Sequence, residues 1–133
     1  MKYIFPLLVL LIFTGCLPKQ EDVTKVFQTN AASIIEDDYK KSTKYLISLK
    51  EKLDKRNPKS YDPKLSNFIY AQIDTLSNNL FLKYNNRELK KYKDYLQIAF
   101  SKNSIENRND YLIMGIYYLI HNAYELEDGV QLT

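Results

Sequence analysis

Residues that build loops and bind ligands are scarce in this 133-residue chain, which has three glycines, four prolines, one cysteine, one histidine and no tryptophan. So few turn-forming residues argue against a many-stranded β-sandwich or barrel. The few glycines also leave no glycine-rich loop of the kind that cradles a phosphate. No serine lies in a Gly-x-Ser-x-Gly turn, and the only candidate for the general base that a serine nucleophile needs is His121. The sequence therefore favours a helical, non-catalytic protein.

Metal and acid–base sites are poorly supported as well. His121, the only histidine, has Glu125 one helical turn away. This pair is too small, because structural zinc takes roughly four protein ligands and catalytic zinc roughly three. The carboxylates of Glu36, Asp37 and Asp38 are neighbours on a predicted helix and do not face each other across a cleft, as those of a glycosidase must. We therefore predict no catalytic residue, no metal and no cofactor.

The N-terminus has the pattern of a secretory signal: a lysine at position 2, an apolar run over 3–13, and then small residues. An ordinary signal cut after Gly15 is disfavoured, because bulky Phe13 lies where that cut needs a small side chain. A transmembrane anchor is disfavoured too. The uncharged residues 3–17 would span only ~22 Å as a helix, whereas the hydrocarbon core is ~30 Å thick.

The tripeptide Thr14-Gly15-Cys16 at the end of this run resembles the lipobox of bacterial lipoproteins, a [Leu/Val/Ile]-[Ala/Ser/Thr]-[Gly/Ala]-Cys motif that ends the signal peptide. Phe13 departs from the aliphatic residue preferred at the first position. The resemblance implies cleavage between Gly15 and Cys16 and a covalent diacylglycerol/acyl lipid on Cys16, which leaves no thiol for a disulfide. It also implies a lipid anchor in the cell membrane or outer membrane, facing outside the cytoplasm, where nucleic acid is not an expected partner.

We predict a signal peptide over 1–15, a lipidated cysteine and short tether over 16–21, and a helical domain over 22–133. Apolar residues recur at helical spacing over 22–56, which is one helix or two helices that divide near Asp37. Asp62 has the features of an N-cap, with Pro63 at the first helical position. A stripe from Leu65 at spacings of three and four then predicts a helix that runs to Tyr84, and Asn85-Asn86 is a turn signal.

A further stripe over 89–100, a polar loop over 101–109 and a last helix over 111–124 complete the predicted fold, with Asn107 as a candidate cap. The last stretch carries no formal charge, so we predict that this helix is central, with Ile116 and Leu119 in the core. Gly115 in its interior predicts the close approach of a neighbouring helix. The fold class is all-α, an irregular antiparallel bundle of four to five helices.

Charge is unevenly spread along the chain. Residues 39–102 carry 15 basic and six acidic side chains, and the flanking segments are acidic. Six basic residues surround the predicted turn over 57–63, and we take them as candidates for contact with an anionic surface: Lys50, Lys52, Lys55, Arg56, Lys59 and Lys64. In one helix over 22–56 they would lie at the end away from the lipid, whereas a break near Asp37 would let them reach headgroups. A solvated helix face is the alternative interpretation.

These patterns predict a lipid-anchored envelope protein that acts by binding, as a structural or accessory subunit of a cell-envelope assembly. Its partners would be the membrane and an acidic envelope polymer or protein. Two other functions stay open at this point. One is an envelope enzyme, such as a cell-wall hydrolase, which a cleft with convergent carboxylates of perturbed pKa would favour. The other is a small exclusion or immunity lipoprotein.

Replacing Cys16 with Ala should abolish fatty-acid labelling of the chain, because the cysteine sulfur is the expected site of attachment. Metabolic labelling and N-terminal analysis of the mature protein check this. A mutant that still carries label, or a mature chain that begins elsewhere than at Cys16, would contradict the lipoprotein assignment.

Overall fold

A computed structural model of the chain describes residues 20–124, so that Gly15, Cys16 and Glu125 lie outside the described residues. The elements in chain order are α1 (Gln20–Arg56), a short 3-10 helix (Pro58–Ser60), α2 (Pro63–Thr75), β1 (Lys83–Tyr84), β2 (Arg87–Glu88), α3 (Tyr92–Ala99) and α4 (Arg108–Ala123). Four α-helices and one small hairpin over this range confirm the predicted all-α class. No helix in the described range is long and apolar enough to cross a membrane.

The described residues divide into two units after Ile34, and everything discussed below lies in the second unit. α1 continues without a break past Asp37, so the sequence 22–56 is one helix. Its buried face differs from the predicted stripe. Thr43 and Lys50 are buried with Tyr39 and Leu46, whereas Tyr45 and Leu49, which belong to the stripe of apolar residues over 22–56, are exposed.

The N-terminus of α2 confirms the predicted cap. Asp62 Oδ1 accepts hydrogen bonds from the backbone N–H groups of Lys64 and Leu65, at 2.9 and 3.1 Å, and Pro63 occupies the first helical position. This satisfies two of the donors that a helix start leaves without partners.

The C-terminus of α2 corrects the prediction, because the helix ends at Thr75 and does not reach Tyr84. Leu76 adopts the left-handed conformation, with φ 54°, and residues 77–82 form no regular secondary structure. The two-stranded antiparallel hairpin pairs Lys83 with Glu88 and Tyr84 with Arg87. Asn85 and Asn86 form its turn with φ 50° and 62°, a conformation that asparagine tolerates better than most residues.

The core is centred on α4, as the sequence predicted. Ile113, Met114 and Tyr117 are fully buried there, and residues from the other helices pack against them, including Leu46, Ile69, Ile73 and Tyr95. Gly115 is where α3 approaches, since a Cβ on it would lie 2.7 Å from Leu96 Cδ2 and 3.0 Å from Tyr95 Cβ. Asn107 precedes the helix, but its side chain does not form a capping hydrogen bond.

Tyrosine hydroxyls hold the non-helical segment against the helices. Tyr95 Oη donates to the carbonyl of Leu89 at 2.8 Å and accepts from the N–H of Leu82 at 2.9 Å. On α4, Tyr118 Oη donates to the carbonyl of Leu80 at 2.7 Å, and Tyr111 Oη donates to that of Lys83 at 2.8 Å. Since buried backbone groups need partners, these bonds stabilise a segment that has little secondary structure of its own.

Replacing Ile113 with Ala should lower the free energy of unfolding by about 2–5 kcal/mol, because a fully buried side chain leaves a cavity. Leu119, predicted to be in the core, is instead 40% exposed. Leu119→Ala is therefore the matched control, with an expected loss below ~1 kcal/mol. Urea denaturation of both variants measures the difference, and equal losses would contradict the central position of α4.

Candidate functional site at the turn of residues 57–63

Five of the six predicted basic residues are exposed, and one is not. Lys50 is 0% exposed, so the prediction that it contacts an anionic surface is wrong. The reason is helical geometry, because Lys50 lies on the buried face of α1, four residues beyond Leu46. The other five side chains remain accessible: Lys52, Lys55, Arg56, Lys59 and Lys64. We call these five residues the basic turn.

Lys50 is held by an ion-pair network that joins three helices. Its Nζ donates to both carboxylate oxygens of Asp54 on α1, at 3.1 and 3.0 Å. It also donates to Ser66 Oγ on α2 and to Asp110 Oδ1 on α4, each at 2.9 Å. A buried ammonium group without such partners would be very unfavourable. The three helices must therefore keep this arrangement for the Lys50 ammonium group to keep its hydrogen-bond partners.

Tyr70 on α2 belongs to the same network. Its Oη donates to Asp54 Oδ2 at 3.1 Å, and Lys50 Nζ lies 5.1 Å from the centroid of its ring. Burial raises the pKa of Tyr70, and the hydrogen bond to Asp54 raises it further. The hydroxyl therefore stays protonated and continues to act as the donor.

Asp110 is the carboxyl group whose environment comes closest to that of a catalytic acid. Burial raises the pKa of Asp110, and the hydrogen bond and charge of Lys50 oppose this rise. A raised pKa suits general acid catalysis only when the group can reach a reactant. The Asp110 side chain is 4% exposed and bonded to Lys50, so its geometry favours a structural role.

A surface groove of about 280 Å³ lies next to this network. It is lined by residues of α1, the 3-10 helix and α2: Glu51, Asp54, Lys55, Pro58, Tyr61 and Tyr70. Asp54 and Tyr70 belong both to the groove and to the Lys50 network. The groove therefore has a wall that is fixed by buried hydrogen bonds.

A second concavity, of about 460 Å³, lies between the hairpin and α3. Polar side chains line much of it, among them Asn85, Arg87, Gln97 and Asn103. The guanidinium group of Arg108 holds the adjoining loop by donating to backbone carbonyl groups at residues 99, 101 and 103. None of the residues predicted as a site lies here, and the only sequence signal for this region was Asn85-Asn86.

Among the described residues 20–124, the other candidate groups found in the sequence do not assemble into a site, and Glu125 lies outside this range. His121 is buried near the end of α4, with Tyr39 and Tyr117 at ring-centroid distances of 6.4 and 5.9 Å. Glu36 is exposed, and its hydrogen bond to Lys40 holds the pKa of its carboxyl group below the ordinary value. Within residues 20–124, no group of three His, Cys, Asp or Glu side chains could hold a metal ion.

Comparison of the chain with known protein families, with characterised proteins and with solved structures gives no match.

Replacing Lys50 with Met should lower the free energy of unfolding by about 3–5 kcal/mol, because it leaves the carboxylate of Asp110 buried without its partner. Urea denaturation measures this loss. The matched control is Lys52→Met on the exposed side of the same helix, which should stay within ~0.5 kcal/mol of the parent.

A second variant distinguishes two causes of this stability loss: the missing ion-pair partner of Asp110 and the altered packing at position 50. In Lys50→Met/Asp110→Leu both buried charges are gone, so we expect it to recover most of the stability that Lys50→Met loses. A single mutant as stable as the control, or a double mutant no better than the single one, would contradict the network.

Proposed function

We propose that the chain is a lipid-anchored envelope protein that acts by binding, as a structural or accessory subunit of a cell-envelope assembly. The basic turn is its binding surface, and the partner is an acidic polymer, surface or protein of the envelope. The observation that carries the proposal is that these five cations are accessible and lack ion-pair partners within residues 20–124.

Two of the three local carboxylates are committed to other contacts, and the third, Glu51, forms no ion pair within residues 20–124. Asp54 accepts hydrogen bonds from Lys50 and Tyr70, and Asp62 caps α2. The positive charge of the turn is therefore poorly neutralised from within the described chain. Each Lys or Arg near an anionic surface contributes about 1 kcal/mol to binding, so five together are sufficient for a useful affinity. Such binding weakens with added salt, because the screening length falls from ~8 Å at physiological ionic strength to ~3 Å at 1 M.

An envelope hydrolase is supported less well. Glu51 and Asp54 do line one groove, as a pair of catalytic carboxylates would. However, both Asp54 oxygens accept hydrogen bonds from Lys50, and one of them also accepts from Tyr70. A carboxylate that is engaged in this way is poorly placed to activate a water molecule or to protonate a leaving group.

Charge reversal at the basic turn tests the proposal. In Lys55→Glu/Arg56→Glu/Lys59→Glu, binding of the full chain in non-ionic detergent to isolated cell wall should fall about 100-fold or more, since three favourable charges are lost. Co-sedimentation at low and high salt measures the change. Binding by the parent chain should itself decrease as salt is added.

The control is Lys90→Glu/Lys91→Glu/Lys93→Glu, which changes the net charge by the same amount at three exposed lysines before and within the first turn of α3. The affinity of this variant should be close to that of the parent chain and well above that of the variant reversed at the basic turn. Equal loss in the two variants would mean that net charge alone attracts the chain, and no loss in either would reject the basic turn as a binding surface.

A further inference from the structure

The groove beside the basic turn has a chemical character different from that of its surroundings. Of its six lining residues only Lys55 is basic, whereas Pro58, Tyr61 and Tyr70 offer apolar surface. Glu51 offers a carboxylate, and that of Asp54 is already bonded to Lys50 and Tyr70. Arg56 and Lys59 are the chain neighbours of these lining residues. A ligand that fills the groove therefore meets aromatic rings and hydrogen-bond acceptors, with positive charge nearby.

Tyr61 and Tyr70 make the groove suitable for a flat, partly apolar group. Tyr61 is 41% exposed although it is a large aromatic residue, so its ring is accessible to a ligand. Tyr70 is held by the bond from its hydroxyl to Asp54. Aromatic faces carry partial negative charge and pack well against the weakly positive C–H groups of a sugar ring.

The remaining groups restrict the ligand further. Glu51 is exposed and can accept hydrogen bonds from hydroxyl or amide groups. A cationic ligand is disfavoured by the five positive charges of the basic turn. A bare phosphate has no apolar face to bury against Tyr61. The combination that satisfies every group is a sugar ring that carries acidic substituents.

We infer that the groove binds an anionic glycan, whose sugar rings pack against Tyr61 and Tyr70 while its acidic groups pair with Lys55, Arg56 and Lys59. This inference rests on the proposed function, and it specifies the partner as a glycan. Binding needs little rearrangement, because the Lys50 network fixes Asp54 and Tyr70 before any ligand arrives. A preorganised wall reduces the entropy lost on binding.

The test compares two anionic polymers that differ in whether they contain sugar rings. Polygalacturonate and inorganic polyphosphate are titrated against the full chain in non-ionic detergent by isothermal calorimetry. Tyr61→Ala should bind polygalacturonate roughly tenfold more weakly, because ring packing is lost, and should bind polyphosphate like the parent chain. Tyr61→Phe should bind both polymers like the parent, since the ring is kept.

Tyr45→Ala is the matched control, because Tyr45 is another exposed tyrosine, 73% accessible, and does not line the groove. It should leave both affinities unchanged. The inference is overturned if Tyr61→Ala weakens both polymers alike or neither of them. It is also overturned if the parent chain binds polyphosphate but not polygalacturonate, which would point to phosphate groups instead.

The charge-reversed turn variant distinguishes failure of the inference from failure of the proposed function. If reversal abolishes binding to every anionic probe and Tyr61→Ala has no effect, the proposed function stands and the glycan inference fails. If reversal leaves binding to all probes unchanged, both fail.

Discussion

The ammonium group of Lys50 imposes the constraint on which the second unit depends. It is fully buried, and its hydrogen-bond partners come from α1, α2 and α4. Displacing α4 would separate the buried carboxylate of Asp110 from Lys50, and displacing α2 would remove the Ser66 hydroxyl from the same ammonium group. Buried pairs often add little net stability, but they are sensitive to geometry. We therefore regard this network as what fixes the relative positions of the three helices.

Hydrogen bonds from tyrosine hydroxyl groups fix the position of the non-helical segment over 76–91 in a similar way. Two strands of two residues each supply few backbone hydrogen bonds, so other carbonyl groups of this segment need partners from side chains. Side-chain hydroxyls of Tyr95, Tyr111 and Tyr118 satisfy them. These three of the chain's twelve tyrosines thus have a structural use, because their rings pack in or against the core and their hydroxyl groups bond to the backbone.

Sequence patterns predicted the features that depend on local physics. The Asp62-Pro63 cap, the buried α4 and the close packing at Gly115 each follow from a few neighbouring residues. The burial of Lys50 does not, because lysine is almost never buried unless it is paired, and Asp110 is 60 residues away in the chain. The hairpin was missed for a different reason. Leu76, Leu80 and Tyr84 recur every four residues and so imitate a helix, whereas two-residue strands are too short to show alternation.

The candidate site shows the same division between local and tertiary information. Clustered charge is visible in the sequence, and five of its six members are exposed as predicted. The groove is not visible, because nothing in composition separates Tyr61 from the tyrosines of α4. What separates them is their position: Tyr117 is fully buried, whereas Tyr61 follows the 3-10 helix with its ring exposed. The exposed ring of Tyr61 is apolar surface that a ligand can bury, the wall beside it is already fixed, and the nearby cations form no ion pair within residues 20–124. These features together make the turn a stronger candidate site than the larger polar concavity at the hairpin.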